Sequence, residues 1–174
     1  MRNDYRIRLA RFKDAEGIFH LIKRYREELL PRPIGDIVKN IDRFLVCEID
    51  GKLAGTVSWA ILPEIGAPHQ PSVEIKSLAV VEEYRKSGIG RSLVQAAIEK
   101  IKPYDPTQIV ALTFSPDFFV KLGFVKTPKE ALMHKIYAGC VNCTKYDSPF
   151  TCPEVAMCLD MEKSRKPSKP RRKQ

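Results

Sequence analysis

Residues 73–101 constrain this chain more than any other stretch. Val73-Glu74-Ile75-Lys76-Ser77-Leu78-Ala79-Val80 is an apolar, β-branched run of the kind that forms a buried strand. A basic turn follows, Arg85-Lys86-Ser87-Gly88-Ile89-Gly90-Arg91-Ser92, and then apolar residues at helical spacing: Leu93, Val94, Ala97, Ile98 and Ile101. A strand, a glycine turn and a helix N-terminus in that order make an anion site. The first amides of a helix have no intrahelical partner, and the positive end of its dipole lies among them. Gly88 and Gly90 carry no Cβ to hold a phosphate off the backbone, and Arg85, Lys86 and Arg91 add charge. The expectation is a phosphorylated cofactor gripped by residues 85–92. The alternative is a plain helix-entry turn.

The spacing narrows the choice of loop. A Walker loop needs Gly-Lys-Ser/Thr, but Gly90 precedes Arg91-Ser92; a dinucleotide fingerprint needs a third glycine where Leu93 stands. The pattern Arg85-x-x-Gly88-x-Gly90, preceded by Leu78-Ala79-Val80 and followed later by Leu122-Gly123-Phe124, resembles the acetyl-CoA loop of the GNAT superfamily of N-acetyltransferases.

Composition fits one domain of that size. The 174 residues are 44% hydrophobic and 29% charged, enough for a core and inconsistent with a disordered chain. No apolar run reaches the length of a membrane span, and the first residues (Arg2, Asp4, Arg6, Arg8) lack the apolar stretch of a signal peptide. A cytoplasmic protein without membrane contact is expected. Of the net charge of +9, residues 162–174 carry +6, with seven Lys/Arg against Glu162, which leaves +3 for the rest. That tail has two prolines and no apolar residue to bury, so it is expected to be disordered. It is either a solvated tail or the one route to nucleic acid or acidic partners. The expected division is an acetyltransferase domain over 1–161, with a cysteine-bearing loop at 139–153, and a basic tail over 162–174.

Hydrophobic periodicity predicts an α/β chain with a mixed sheet. Tyr5–Arg11 alternates as a strand. Asp14 is placed to cap a helix whose apolar face runs through Ile18, Phe19, Leu21, Ile22, Tyr25 and Leu29, ended by Pro31 and Pro33. A short helix covers 34–41. Strands at 44–49 and 53–62 flank Asp50-Gly51, a hairpin signal. A loop at 63–71 leads to the cofactor strand; beyond its helix come a strand at 109–114, a short helix at 117–122 and a last strand at 155–161. One central parallel step is implied.

That order is also the GNAT order. Within the superfamily the chain resembles the short relatives of N-acetylglutamate synthase that lack an amino-acid kinase. The patches are Leu30-Pro31-Arg32-Pro33, Glu74 to Val80, Leu112-Thr113-Phe114, Phe118 to Phe124, His134-Lys135-Ile136-Tyr137, Cys140-x-x-Cys143 and Cys152-Pro153-Glu154. Met133 stands where the resemblance places proline, and Gly139 where it places an acidic residue. The resemblance implies acetyl transfer from acetyl-CoA to the amine of a small molecule, with glutamate the first acceptor and arginine biosynthesis the setting. It implies a splay of the central strand at which Leu78, Ala79 and Val80 offer backbone groups to the pantetheine arm, the Val80 amide lying near the thioester oxygen. Phe119 joins the cofactor wall. Glu74 is implied as the general base; read alone, it is equally a solvent-facing strand glutamate. Arg32, Lys76 and Lys135 are implied as cations for acceptor carboxylates, or are surface charges. The general acid stays unassigned, because Phe118-Phe119 occupy the place of the usual tyrosine; water, Tyr137 or another residue would substitute. The alternatives are another small amine or a protein terminus as acceptor, and an acetyl-CoA sensor without turnover; a homodimer is left open.

Cys140-x-x-Cys143, eight residues and then Cys152 come near zinc-ligand spacing. No metal is expected; structural thiols, redox pairing and zinc are the three readings of these residues. Cys158, in the last strand, and Cys47 are expected in the core. His20, His69 and His134 share no ligand spacing, and His20 is expected to pack with Phe19 and Ile22.

Overall fold

The Asp50-Gly51 turn organises the first half of the sheet. Both residues take positive φ, +49° and +74°, the combination whose twist matches a hairpin. In this computed structural model, which describes residues 4–63, 71–143 and 145–162, the turn joins β2 (Phe44–Ile49) to β3 (Lys52–Ile61). β1 (Arg6–Leu9) lies outside β2, and β4 (Ser72–Val80) lies inside β3, all antiparallel. β5 (Gln108–Thr113) then runs parallel to β4, and β7 (Val155–Asp160) and β6 (Val125–Lys126) complete a seven-stranded sheet in the order β1-β2-β3-β4-β5-β7-β6.

Helices cover both faces. α3 (Ile89–Ile101) buries Ile89, Leu93, Val94, Ala97 and Ile101 against Leu45, Val57, Ile75 and Ile109 of the strands. α1 (Ala15–Arg24) and α2 (Ile34–Lys39) bury Ile18, Ile22 and Ile37 with Phe44 and Val46. Arg8 joins β1 to β2 and to the start of α1 through Glu48 and Asp14, the latter at 2.7 Å.

The feature that positions the site is a parting of strands. β4 and β5 pair over only three positions, Ser72 with Gln108, Val73 with Ile109 and Glu74 with Val110. β5 continues to Thr113 paired with β7, and β4 continues to Val80 paired with β3. From Ile75 onward the two central strands separate. A bulge assists: the β3–β4 register shifts between Thr56 and Ser58, and Ser77 takes φ +54°. Extra residues of this kind bend a strand and increase its twist.

Several expectations are corrected. α1 stops at Arg24, not near Leu29; the chain turns at 25–28, with Leu29 N–H bonded to Tyr25 O at 2.8 Å. Tertiary contact outweighs helical propensity here, because Arg85 stacks on Tyr25 at 4.2 Å and pairs with Glu28 at 3.2 Å. Asp14 does not cap α1 with its side chain; its carboxylate accepts from Arg8 and the Arg11 amide instead. α2 ends at Lys39, where the Asn40 side chain donates to Asp36 O. The short helix after β5 is α4, Pro116–Val120, and α5 (Met133–Ala138) and β6 had no expected counterpart. His20 is exposed beside Glu16 rather than packed, with only the edge of Phe19 against it. Cys47 is buried as expected, whereas Cys158 is half-buried with its Sγ 3.1 Å from Gln108 Oε1. The tail at 163–174, most of the loop at 63–71, and His69 lie outside the described residues.

Gly55 on β3 shows how closely α3 is seated. A Cβ there would lie 3.0 Å from both Ala79 O and Leu93 Cδ1. Gly55→Ala is expected to lower unfolding free energy by about 1–3 kcal/mol through overpacking, measured as a shift of the urea midpoint at constant slope.

Candidate functional site

Where β4 and β5 part, a cleft of about 950 Å³ opens along β4, walled by Glu74 to Val80 on one side and Leu112 to Ser115 on the other. Glu74 and Val80 are six residues apart on the strand, so the cleft spans roughly 20 Å along it. The backbone supplies part of its lining. Val81 N–H donates to Ala54 O of the β3 side at 2.9 Å. Alternate residues of a strand face opposite neighbours, so the N–H and C=O of Val80, and with them those of Leu78, face the splay. Arg85 Nε reaches Val80 O from that side at 3.3 Å.

Beyond Val80 the cleft meets the glycine turn. Gly88 is the N-cap of α3 with φ +96°, and the first amide bonded within the helix is that of Ser92, to Gly88 O. The amides of Ile89, Gly90 and Arg91 therefore have no helical acceptor. Arg85, Lys86, Gly88, Gly90 and Arg91 line this end with Lys121. Gly90 lies under Phe118 and Val80, where a Cβ would make ordinary van der Waals contact at 3.6–3.7 Å. This set fits a phosphorylated ligand: unbonded amides, four cationic side chains and a glycine held in a conformation that other residues resist. Three of the expected loop residues direct their side chains elsewhere. Ile89 is buried in the core, Ser92 Oγ bonds Tyr5 Oη at 2.7 Å, and Ser87 Oγ donates to Tyr84 O. Phe119 lines the cleft but sits largely in the core, edge-on to Phe118 and Phe124.

The other end carries the charges. Glu74 is 5% exposed and Lys135, from α5, 7%. Lys135 Nζ lies 2.8 Å from Glu74 Oε1, and Lys76 Nζ 3.9 Å from Glu74 Oε2. Burial disfavours the Lys135 ammonium, but Glu74 outweighs it and the pKa is raised. Burial dominates at Lys76, whose pKa is lowered despite Glu74. Arg32 lines the same end, already bonded to Asp36 and lying 5.9 Å from the Phe44 ring. The structure thus brings Glu74, Lys76, Lys135 and Arg32 together from three separate segments.

Three residues here were not singled out from sequence. Glu154 enters the cleft just before β7, and burial raises its pKa. Tyr25 lines the cleft with its hydroxyl buried and, among the described residues, without a hydrogen-bond partner. Asp36 partners Arg32. The first two had a legible place but no legible direction: a glutamate beside proline and a tyrosine on a helix face both read as ordinary. Tyr137 is 59% exposed and does not line the cleft, so it is not available to it as an acid. Cys140 reaches the cleft, and with Cys143 and Cys152 lines a small adjoining pocket. Among the described residues no three His, Cys, Asp or Glu side chains are grouped to hold a metal ion. The loop carrying these thiols is tied across to the turn after α1 by Lys145, which donates to Arg26 O and Glu27 O at 3.1 and 2.8 Å.

Residues 11–124 match the sequence pattern of the acetyltransferase (GNAT) family. The chain belongs to the GNAT family. It is 33% identical over 153 residues to an uncharacterized N-acetyltransferase of Chlorobaculum tepidum, covering 87% of this chain and 93% of that one. Over 134 residues it is 30% identical to an N-alpha-acetyltransferase of Sulfurisphaera tokodaii, covering 70% and 80%. Among solved structures it resembles a Mycobacterium tuberculosis protein in complex with CoA, with TM-score 0.74 and 22% identity over 89% of this chain and 98% of that one. It also resembles N-acetylglutamate synthase of Neisseria gonorrhoeae bound to CoA and N-acetyl-glutamate, with TM-score 0.71 and 21% identity over 90% of this chain but only 35% of that longer one. This GNAT protein is accordingly an acetyl-CoA-dependent N-acetyltransferase with the family's mixed α/β fold, and no helix of its described residues is long and apolar enough to cross a membrane.

Two predictions concern the site's walls. Gly88→Ala places a Cβ at φ +96°; it is expected to cost about 1–2 kcal/mol of stability and to raise the KM for acetyl-CoA more than it lowers kcat, read by initial rates. His134, on α5 beside Lys135, has its Nε2 buried without a partner among the described residues, and burial lowers its pKa from 6.5. The unfolded chain therefore takes up the proton first as pH falls, and stability is lost from about pH 6.5 downward. His134→Gln is expected to flatten that limb, checked by urea midpoints at pH 7.5 to 5.5, roughly spanning the histidine range.

Proposed function

We propose that this GNAT enzyme acetylates the α-amine of a small amino acid, with glutamate the leading acceptor and arginine biosynthesis in the cytoplasm the setting. The observation carrying this reading is the pairing of buried Glu74 and Lys135 with half-buried Lys76, Arg32 beside them, at the end of the cleft opposite Arg85, Gly88 and Arg91. Cations in a cleft end of this kind suit an acceptor bearing carboxylates. The amino-acid acetyltransferase of Mycobacterium tuberculosis, 24% identical over 146 residues covering 81% of this chain and 79% of that one, is consistent with it.

The chemistry is direct attack. The neutral amine adds to the thioester carbonyl, the carbon–sulfur bond breaks, and an amide and free CoA result. The pantetheine arm lies along Leu78 to Val80, and the Val80 N–H faces the carbonyl oxygen; such a donor is worth about a hundredfold or more in rate. Glu74 takes the amine proton, directly or through a water. Its Oε1 is held by Lys135, while Oε2, 3.9 Å from Lys76, keeps capacity to accept. The leaving group is a thiolate, a far weaker base than the amide anion that would have to leave in the reverse sense, so it departs without a dedicated acid. That removes the need for the tyrosine that Phe118 and Phe119 displace.

A second reading has its own support: the Sulfurisphaera relative is named for N-alpha-acetylation, and Arg32 already spends its guanidinium on Asp36. The acceptor would then be a protein or peptide amino terminus.

CoA release across a panel of amino acids, polyamines and short peptides separates the readings. Selective turnover of glutamate supports the first; turnover of peptides alone replaces it with the second; acetyl-CoA binding without any turnover overturns both. Glu74→Gln is expected to lower kcat by about a hundredfold to ten-thousandfold. Because it strips Lys135 of its buried partner, which can cost about 3–5 kcal/mol, circular dichroism must show the variant folded. Unchanged kcat in folded variant would remove Glu74 as the base.

A further inference from the structure

The mechanism leaves the cysteines of the 139–153 loop unused. Cys140 to Asn142 form a 3-10 turn closed by Cys143 N–H donating to Cys140 O at 3.1 Å. In such a turn residues i and i+3 eclipse, and a rise of about 2 Å per residue sets their Cα atoms roughly 6 Å apart. A disulfide needs about 4.4–6.8 Å. Both side chains line one small pocket, and Cys140 also lines the main cleft. The third thiol there, Cys152, is differently placed. Its carbonyl is held by Lys129 and its Sγ lies 3.7 Å from Glu154 Oε2.

We propose that Cys140 and Cys143 form a redox-active dithiol, oxidised by exchange with a small-molecule disulfide such as oxidised glutathione, and that the disulfide disturbs the acceptor end of the cleft. The kinetic half of this rests on the proposed acetyl transfer to a small amine; the chemical half does not. The exchange has two steps. The Cys143 thiolate attacks one sulfur of the small disulfide, forming a mixed disulfide and releasing one thiol; the Cys140 thiolate then displaces the second thiol and closes the protein disulfide. Two cysteines are oxidised, one small disulfide is reduced, and the two protons leave on the released thiols. Burial pushes the Cys140 thiol up, which suits it to the second, intramolecular step, where proximity offsets the smaller thiolate fraction.

The consequence for the cleft follows from packing. A Cβ on Gly139 would lie 3.2 Å from Lys135 Nζ, so the backbone leading into Cys140 rests against the ammonium that holds Glu74. Drawing Cys140 Sγ toward Cys143 takes it from the cleft wall and shifts that backbone.

The test uses the full chain equilibrated in buffers of reduced and oxidised glutathione, quenched by alkylation and digested with trypsin. Cleavage after Lys135 and Lys145 places both cysteines in peptide 136–145, and Cys152 with Cys158 in peptide 146–163. The expected product is peptide 136–145 two hydrogens lighter and unlinked to any other, absent from Cys143→Ser. Peptide 136–145 alkylated at every ratio, or joined to 146–163, overturns the proposal whether or not the enzyme turns over an amine. In the oxidised protein kcat/KM for the acceptor is expected to fall about tenfold, as small displacements near reacting groups do, with KM for acetyl-CoA unchanged and full recovery on reduction. An intramolecular disulfide that leaves acceptor kinetics unchanged overturns the claim on the cleft.

Discussion

Two neighbouring strands that pair for three residues and then separate create everything that follows in this protein. A parallel pair normally satisfies its backbone along its whole length. Here β4 gives up its β5 partner after Glu74, and its inward-facing amides and carbonyls border a cleft instead. Unpaired backbone in an interior is costly unless something takes the hydrogen bonds. Arg85 satisfies one carbonyl already. The geometry is therefore held by its surroundings: β3 pairs β4 on one side, β7 pairs β5 on the other, and α3 clamps the face beneath with Leu93 and Ile89 against Gly55. The site is a defect in a sheet, stabilised by an otherwise regular structure around it.

The charged end depends on a different balance. A buried carboxylate and a buried ammonium each lose hydration, and their mutual attraction must offset that loss. Glu74 and Lys135 meet at 2.8 Å, and Lys135 stays charged in spite of its burial. Lys76, farther from the carboxylate, is only partly compensated, and burial prevails. Two lysines beside one glutamate thus have unequal readiness to lose a proton, because only Lys135 is within hydrogen-bonding distance of the carboxylate while Lys76 also faces Arg32 and Lys135.

The regular elements were largely legible in the sequence, and the reasons are local. β-branched runs, the Asp50-Gly51 turn and the α3 periodicity each declare themselves within a few residues, and Arg85, Gly88 and Gly90, picked out by their spacing alone, do line one end of the cleft. What was illegible depends on tertiary contacts, near or far in sequence, or on elements too short to show a stripe. α1 ends early because Arg85, some sixty positions away, stacks on Tyr25. Asp14 looked like a helix cap until Arg8 claimed its carboxylate. α5 was hidden because six residues with two exposed at its end, Tyr137 and Ala138, show no clear stripe. Lys135 and Lys76 could be named from their patches, but nothing in the sequence told which lysine lies within bonding distance of Glu74. Glu154 acquires meaning only once β7 is laid beside β5.

The five residues after α1 touch two parts of the molecule that lie far apart in the chain. Arg85 of the cofactor loop leans on Tyr25 and Glu28, while Lys145 of the cysteine-bearing loop holds the carbonyls of Arg26 and Glu27. A single short hinge thus shares its backbone with both ends of the cleft. Residues 25–29 are both a wall of the cleft, through Tyr25, Glu28 and Leu29, and the brace between two loops some sixty residues apart in the chain.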